Sequence, residues 1–307
     1  MANDKTEKAT PKKRDDARKK GQVARSMDVN GAVVLVAGHV GAAALLAWLS
    51  VRRYVGYNAG MLDLGNMSQA IASVLRGQPL VFTYVDGPTS RLAFHVELFY
   101  LLLVPLWALW PDPRALLIAQ AALYGAGAIP AFRLGARAAR APAGGLALAA
   151  IYLLYPVAQT AVLFDLHGDT LAMPLLLFAL EALERRAWRT FAVWAALAVS
   201  CKFYVAAPVG LAGLVAWRAY GERRAGLATF VAALAYGLVA FLVVRPLFTT
   251  ASTSEAHSGL NYISFYFGRL EELASTALER LLSAAVVFGP ALMLAWPGRR
   301  WLLPPLP

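Results

Sequence analysis

Gly31-Ala-Val-Val-Leu-Val-Ala-Gly-His-Val-Gly-Ala-Ala-Ala-Leu-Leu-Ala-Trp-Leu-Ser-Val51 contains no Asp, Glu, Lys or Arg, and it sits between a basic tail and the pair Arg52-Arg53. An apolar run of about 20 residues matches the ~30 Å hydrocarbon core of a bilayer. The tail, residues 1–28, carries Lys5, Lys8, Lys12, Lys13, Arg14, Arg18, Lys19, Lys20 and Arg25. A cleaved secretory signal is the competing reading. Its charged region and apolar run are both too long for one, and Ala47-Trp-Leu-Ser-Val-Arg-Arg53 is a poor cleavage site. The run reads as a retained transmembrane helix behind a cytoplasmic tail.

The rest of the chain agrees with a membrane setting. Hydrophobic residues make up 59% and charged residues 15%, and the mean hydropathy is +0.54. Soluble domains carry about 25% charged residues, so much of this exterior must face lipid. The single cysteine, Cys201, excludes an internal disulfide framework and a Cys-based zinc site. The net charge of +11 is spread over the tail and short Arg clusters, which reads as membrane topology rather than a nucleic-acid surface.

Apolar runs follow at 96–110, 114–132, 144–163, 170–183, 190–201, 203–217, 226–248 and 281–296. The fold class is therefore an all-α polytopic transmembrane bundle. Residues 54–95 hold no span, and Met61 to Leu75 has the apolar spacing of a helix at the membrane surface or on the protein. The 190–217 region reads as two short helices broken near Ser200-Cys201-Lys202. Placing the tail, Arg133, Arg137 and Arg140, Arg185, Arg186 and Arg189, Arg218, Arg223 and Arg224, and Arg299 and Arg300 in the cytoplasm puts Asp63, Asp165, Lys202 and the 249–280 loop outside. Parity then requires the short 96–110 run to be re-entrant or partly inserted.

Ionisable groups at span ends persist where they pair or line a wet cavity. Three places qualify: Asp63; His95 with Glu97; and Asp165, His167 and Asp169. Carboxylates and imidazoles together suit a divalent cation or a general acid–base pair. Asp63, Asp165 and His167 are the candidate catalytic groups, His95 and Lys202 the candidate substrate ligands, and Asp63 with His167 a candidate metal pair. The plainer alternatives are helix capping by Asp165 and Asp169, an interfacial His95 and a snorkelling Lys202. Gly125-Ala-Gly127 lies within an apolar run and suits close helix packing better than phosphate binding.

Two resemblances attach to different parts of the chain. Asp4-Lys-Thr-Glu-Lys-Ala-Thr-Pro-Lys-Lys-Arg14 and Ala17-Arg-Lys-Lys-Gly-Gln-Val-Ala-Arg-Ser26 resemble the opening of the flagellar and type III secretion export-switch (FlhB-like) family, over residues 1–38. That family cleaves itself at an Asn-Pro-Thr-His loop, and no such tetrapeptide occurs here. The resemblance therefore implies ancestry for the tail alone. Leu62-Asp63-Leu-Gly-Asn-Met-Ser-Gln69, Leu75-Arg-Gly-Gln-Pro-Leu80, His95, Tyr152-Leu-Leu-Tyr-Pro156 and Phe164-Asp-Leu-His167 resemble a bacterial multipass membrane family, domain of unknown function 2079. Its members look like relatives of GT-C glycosyltransferases, which use lipid-linked sugars.

This second resemblance implies a GT-C-like fold and a polyprenyl-phosphate sugar as donor. Asp63 takes the place of the acidic residue of the first external loop, Asp165 and His167 that of the second polar motif, and Lys202 meets the donor phosphate. The chain divides into a 1–30 tail, a first transmembrane helix at 31–53 and a truncated multipass domain at 54–307, with a fusion seam near 38–54. Three functions stand side by side: a GT-C-like transferase of the bacterial inner membrane, a non-enzymatic component of the export apparatus, and a non-catalytic lipid-binding or transport protein.

Overall fold

The computed structural model describes residues 27–84, 87–250 and 275–285, with Thr253, Asn261 and Ser264 as isolated positions. The basic tail, most of the 249–280 loop and the later part of the 281–296 run lie outside the described residues.

Helix α1, Met27–Val55, is followed by a π-turn, Met61–Gly65, and a short helix α2, Asn66–Val74. An antiparallel hairpin comes next, β1 Val81–Tyr84 with β2 Gly87–Ser90, paired Val81 to Ser90 and Tyr84 to Gly87. This is a departure from an all-helical fold. Val81-Phe-Thr-Tyr84 is β-branched and aromatic, and it is held on α2 through Gln69 and Thr83 and through the Ser73 hydroxyl on Val81 N, 2.7 Å. Helix α2 is correspondingly buried, at Met67, Ala70 and Ile71 among others. It therefore lies on the protein.

The remaining helices are α3 Tyr100–Leu109, α4 Pro113–Ala126, α5 Ala128–Ala139, α6 Pro142–Leu154, α7 Pro156–Leu163, α8 Gly168–Glu184, α9 Trp188–Cys201, α10 Ala206–Arg218, α11 Arg223–Val239 and α12 Arg245–Phe248. Asp112 caps α4 by accepting from Arg114 N at 2.8 Å. The Arg114 hydrogen bond holds the Asp112 carboxyl below the usual carboxylate range. Among the described residues two rods, Pro113–Ala139 and Arg223–Phe248, are long and apolar enough to cross a membrane. The α6–α7 pair makes a third if its 47° bend is counted within one span. That bend falls within the apolar run at 144–163. Pro156 forces the preceding residue out of the helical region, and Tyr155 is extended, with ψ 113. Helices α3, α9 and α10 are shorter. The ten residues of α3 rise only about 15 Å.

Helices pair α1 with α4, α5 with α6, α8 with α9 and α10 with α11. Small residues let backbones approach, as packing in lipid favours. A Cβ on Gly125 would lie 2.7 Å from Ala43 Cβ, and one on Gly226 would lie 2.6 Å from Trp217 N. Outward faces are apolar, as at Leu227, Val231, Leu234, Leu238, Leu242 and Leu247 of the last rod.

Contacts between helix termini gather at two ends. At one, Arg137 and Arg185 both reach Glu181 at 2.9 Å, Arg186 meets Glu222 at 3.3 Å, and Tyr220 donates to Glu184. At the other, Gly60 meets Asp165, His95 meets Phe203, Ser200 meets Phe99, and Arg245 meets Ala93. Helices α8 and α9, 17 and 14 residues long, separate these ends by about 21–25 Å at 1.5 Å per residue.

Gly226→Val should lower the melting temperature of the detergent-purified protein, because its side chain meets backbone atoms that cannot yield. Gly41→Ala, with nothing within 4 Å of the added methyl, should leave it unchanged or raise it. Thermal unfolding of both variants checks the pair: only Gly226→Val should lower the midpoint.

Candidate functional site

A polar cavity of about 330 Å³ opens at the end away from the Arg clusters, lined by Asp63, Asn66, Arg91, His95, His167 and Lys202 together with Leu62, Met67, Phe82 and Phe94. Of the sequence candidates, Asp63, His95, His167 and Lys202 converge on it. Asp165 does not line it.

Asp63 lies in the π-turn, a wider coil often found at functional sites. His167 N-caps α8 with extended backbone. Its Nδ1 lies 2.8 Å from the Phe164 carbonyl. A carbonyl only accepts, so Nδ1 carries the proton and the Nε2 lone pair is left for the cavity. Nε2 stands 3.4 Å from Asp63 Oδ1. Two acceptors face each other there, an arrangement suited to sharing a proton. As a zinc centre the pair is too small, since those take three or four protein donors. Among the described residues no group of three or more His, Cys, Asp or Glu is placed to hold an ion. Asp63 and His167 thus supply two donors rather than a closed all-protein site.

Asp165 is 3% exposed, and its Oδ2 accepts from Gly60 N at 2.6 Å. It therefore ties the α7–α8 loop to the segment that carries Asp63, where a helix cap or a reacting carboxylate was expected. Its backbone is left-handed, φ 56, which Asp tolerates better than most residues. Gly60 is needed beside it, because an added Cβ would stand 2.9 Å from that Oδ2. Gln120 completes the brace. Its amide donates to Val162 O at 3.0 Å and Asp165 O at 2.6 Å, and its oxygen accepts from His167 N at 3.0 Å.

Lys202 occupies the single extended position between α9 and the 3-10 turn Phe203–Val205. It does not snorkel. Its side chain is 7% exposed, and Nζ lies 2.6 Å from Asp169 Oδ2. Tyr204 OH donates to the other oxygen of Asp169 at 2.6 Å. Asp169 thus serves as a counter-ion rather than as a cap.

Arg91 was not among the expected site residues, and Glu97 was expected only as a polar neighbour of His95. Arg91 follows β2 directly, in a turn capped by Ser90 Oγ on Leu92 N. Its guanidinium lies 5.4 and 5.6 Å from the ring centroids of Phe82 and Phe94, and it meets Glu97 at 2.6 Å with side chains 9% and 0% exposed. Tyr100 OH donates to the second Glu97 oxygen. Between His95 and Glu97, Val96 is left-handed at φ 53. A β-branched residue there costs about 1–3 kcal/mol and is retained where the surroundings enforce it.

Gln120→Leu should remove three hydrogen bonds from buried backbone groups and cost on the order of 2 kcal/mol or more. Amide hydrogen exchange of residues 162–168 should rise in that variant while exchange in α10 stays as in the wild type.

Over 36 residues the chain is 74% identical to flagellar biosynthetic protein FlhB of Bacillus subtilis strain 168, a stretch that is 12% of this chain and 10% of that protein. The chain thus spans about a tenth of that relative's length. No solved structure matches the chain. The model of a family described as predicted membrane protein (DUF2079) matches residues 53–307, which take in every residue of the cavity, and the chain belongs to that family.

Proposed function

We propose that the protein is a GT-C-like glycosyltransferase that takes sugar from a polyprenyl-phosphate donor on the outer face of the bacterial inner membrane. The observation that carries this reading is the convergence of Asp63, Arg91, His95, His167 and Lys202 on one cavity. The helices place that cavity opposite the Arg137, Arg185 and Arg186 end. Positive charge marks the cytoplasmic side, so the cavity faces out and the tail before α1 faces in. The chain then crosses at α1, α4–α5, α6–α7, α8, α9, α10 and α11–α12, with α3 inserted only partly.

In this mechanism the acceptor hydroxyl attacks the anomeric carbon while its proton passes to Asp63, which shares it with Nε2 of His167. The bond from sugar carbon to phosphate oxygen breaks, and the leaving phosphate takes the electron pair. Lys202 meets that charge where little water competes, so the attraction is worth more than at the surface. His95 contacts the Tyr204 ring edge-on, centroids 6.3 Å apart, and bounds the sugar pocket. Asp165 positions the Asp63 segment.

The export-component reading rests on the 36-residue likeness alone. It concerns the tail, whereas the cavity lies in the other family's part of the chain.

Asp63→Asn should reduce sugar transfer from a polyprenyl-phosphate sugar by at least 100-fold in right-side-out or permeabilised vesicles, with membrane insertion and melting temperature retained. Wild-type turnover in that variant would make Asp63 structural. Topology has its own test. In a Cys201→Ser background, Tyr57→Cys should react with an impermeant thiol reagent in whole cells, and Arg186→Cys only after permeabilisation. The reverse pattern would invert the membrane orientation.

A further inference from the structure

A cleft of about 360 Å³ runs between α9 and α11, lined by Phe191, Ala192, Ala196, Ala228, Ala232 and Tyr236 among others. It begins close to the start of both helices, at Phe191 of α9 and Ala228 of α11. That is the end of the molecule that carries the Arg clusters. Alanine on both walls makes the room. Elsewhere on the outer side of α11 stand Leu227, Val231 and Leu234, large and exposed, whereas exposed Ala192, Ala196, Ala228 and Ala232 offer one methyl each. From Phe191 to Val199 the α9 wall extends about 12 Å, at 1.5 Å per residue.

The two helix starts are held side by side. Arg186, two residues before α9, meets Glu222, the residue before α11, at 3.3 Å. The acids of this end are all engaged: Glu181 by Arg137 and Arg185, Glu184 by Tyr220, and Glu222 by Arg186. Arg189, Arg223 and Arg224 are exposed, and among the described residues none of them has a carboxylate partner. Helical spacing sets two of these over the cleft. Arg189 precedes Ala192 by three positions and Arg224 precedes Ala228 by four, so each stands about one turn above a cleft wall, on the same face. Neither helix start has a side chain capping its first N–H groups, which adds to the positive field there.

We propose that the α9–α11 cleft seats one acyl chain of an anionic phospholipid whose head group lies between Arg189 and Arg224. Charge complementarity selects the occupant: a neutral lipid fills the cleft but leaves the arginines without a counter-ion, and a soluble phosphate does the reverse. In the orientation proposed above the lipid belongs to the cytoplasmic leaflet, where basic recesses between helices take anionic head groups. The site does not depend on the transferase reading, since it lies at the end of α9 opposite Lys202. An occupied cleft ties α9 to α11, so the lipid stabilises the folded protein by mass action.

The test uses the full chain in phosphatidylcholine nanodiscs with a trace of phosphatidylglycerol that carries a diazirine midway along one chain. Photolabelling should fall on 191–199 and 228–236. Unlabelled phosphatidylglycerol should compete, and phosphatidylcholine and glycerol 3-phosphate should not. Arg189→Gln with Arg224→Gln should cut labelling about tenfold, and Arg189→Lys with Arg224→Lys should retain most of it. Ala196→Leu with Ala232→Leu fills the cleft from two exposed positions and should cut labelling about as far. Arg133→Gln with Arg140→Gln removes the same charge from α5 and its C-cap, outside the cleft, and should leave labelling within about twofold. Added phosphatidylglycerol should raise the melting temperature of the wild type and not that of the Arg189→Gln, Arg224→Gln variant. An equal loss of labelling in the Arg133, Arg140 control overturns the proposal, since it shows only a general attraction of basic loops to anionic lipid. Equal labelling by a phosphatidylcholine probe, labelling elsewhere in the chain, or undiminished labelling in the Leu variant overturns it as well.

Discussion

Three segments distant in sequence meet at the break between α9 and α10, and the polar cavity depends on that meeting. Phe203 N donates to His95 O at 3.0 Å, and Phe99 N donates to Ser200 O at 2.8 Å. A Cβ on Gly168 would stand 2.6 Å from Cys201 O. An interrupted helix in an apolar setting leaves backbone groups that need partners. Here the partners are the strands of chain on either side of the cavity. Satisfying the break therefore draws His95, His167 and Lys202 toward one place. The Lys202–Asp169 pair then neutralises the charge that this gathering would otherwise bury alone.

The same economy governs the loop from Phe164 to Gly168. Gln120 supplies from α4 what no local residue supplies, two donors and an acceptor for backbone groups within the protein. Asp165 meanwhile reaches across to Gly60. These bonds fix the backbone around His167, whose ring is turned by the Phe164 carbonyl, and Asp63 stands 3.4 Å from it. Val96 contributes in another way: its strained backbone sends His95 to the cavity and Glu97 to Arg91.

Much of the helical layout was legible, because a lipid-facing helix declares itself by an unbroken apolar run. The division of 190–217 at Ser200-Cys201-Lys202 followed from the Arg clusters on either side of it, and the shortness of the 96–110 segment from length. The hairpin that pairs Val81 with Ser90 is faint in the sequence: Val81-Phe-Thr-Tyr84 before Asp86-Gly87 carries a strand-and-turn signal, but four residues a side are too few for an alternation to stand out between helices. Asp63, His95, His167 and Lys202 were found as polar residues where apolar ones abound. Arg91 was not, since a lone arginine in a polar stretch resembles any surface residue until Phe82, Phe94 and Glu97 surround it. The duties of Gln120 and Asp165 depend on partners 42 to 105 positions away. Such pairings leave no mark in local spacing.

Helix α1 has a bearing on how such a chain arises. The family match begins at residue 53, so nearly all of α1 precedes it. The helix is nonetheless no loose appendage: Leu46 is buried with Ala121 and Tyr124, and Ala43 faces Gly125. What α4 asks of its neighbour is modest, a small residue opposite a glycine and apolar side chains elsewhere. Many unrelated membrane helices meet that requirement. A leading helix of different sequence could therefore take this position and leave the packing of the residues after it intact.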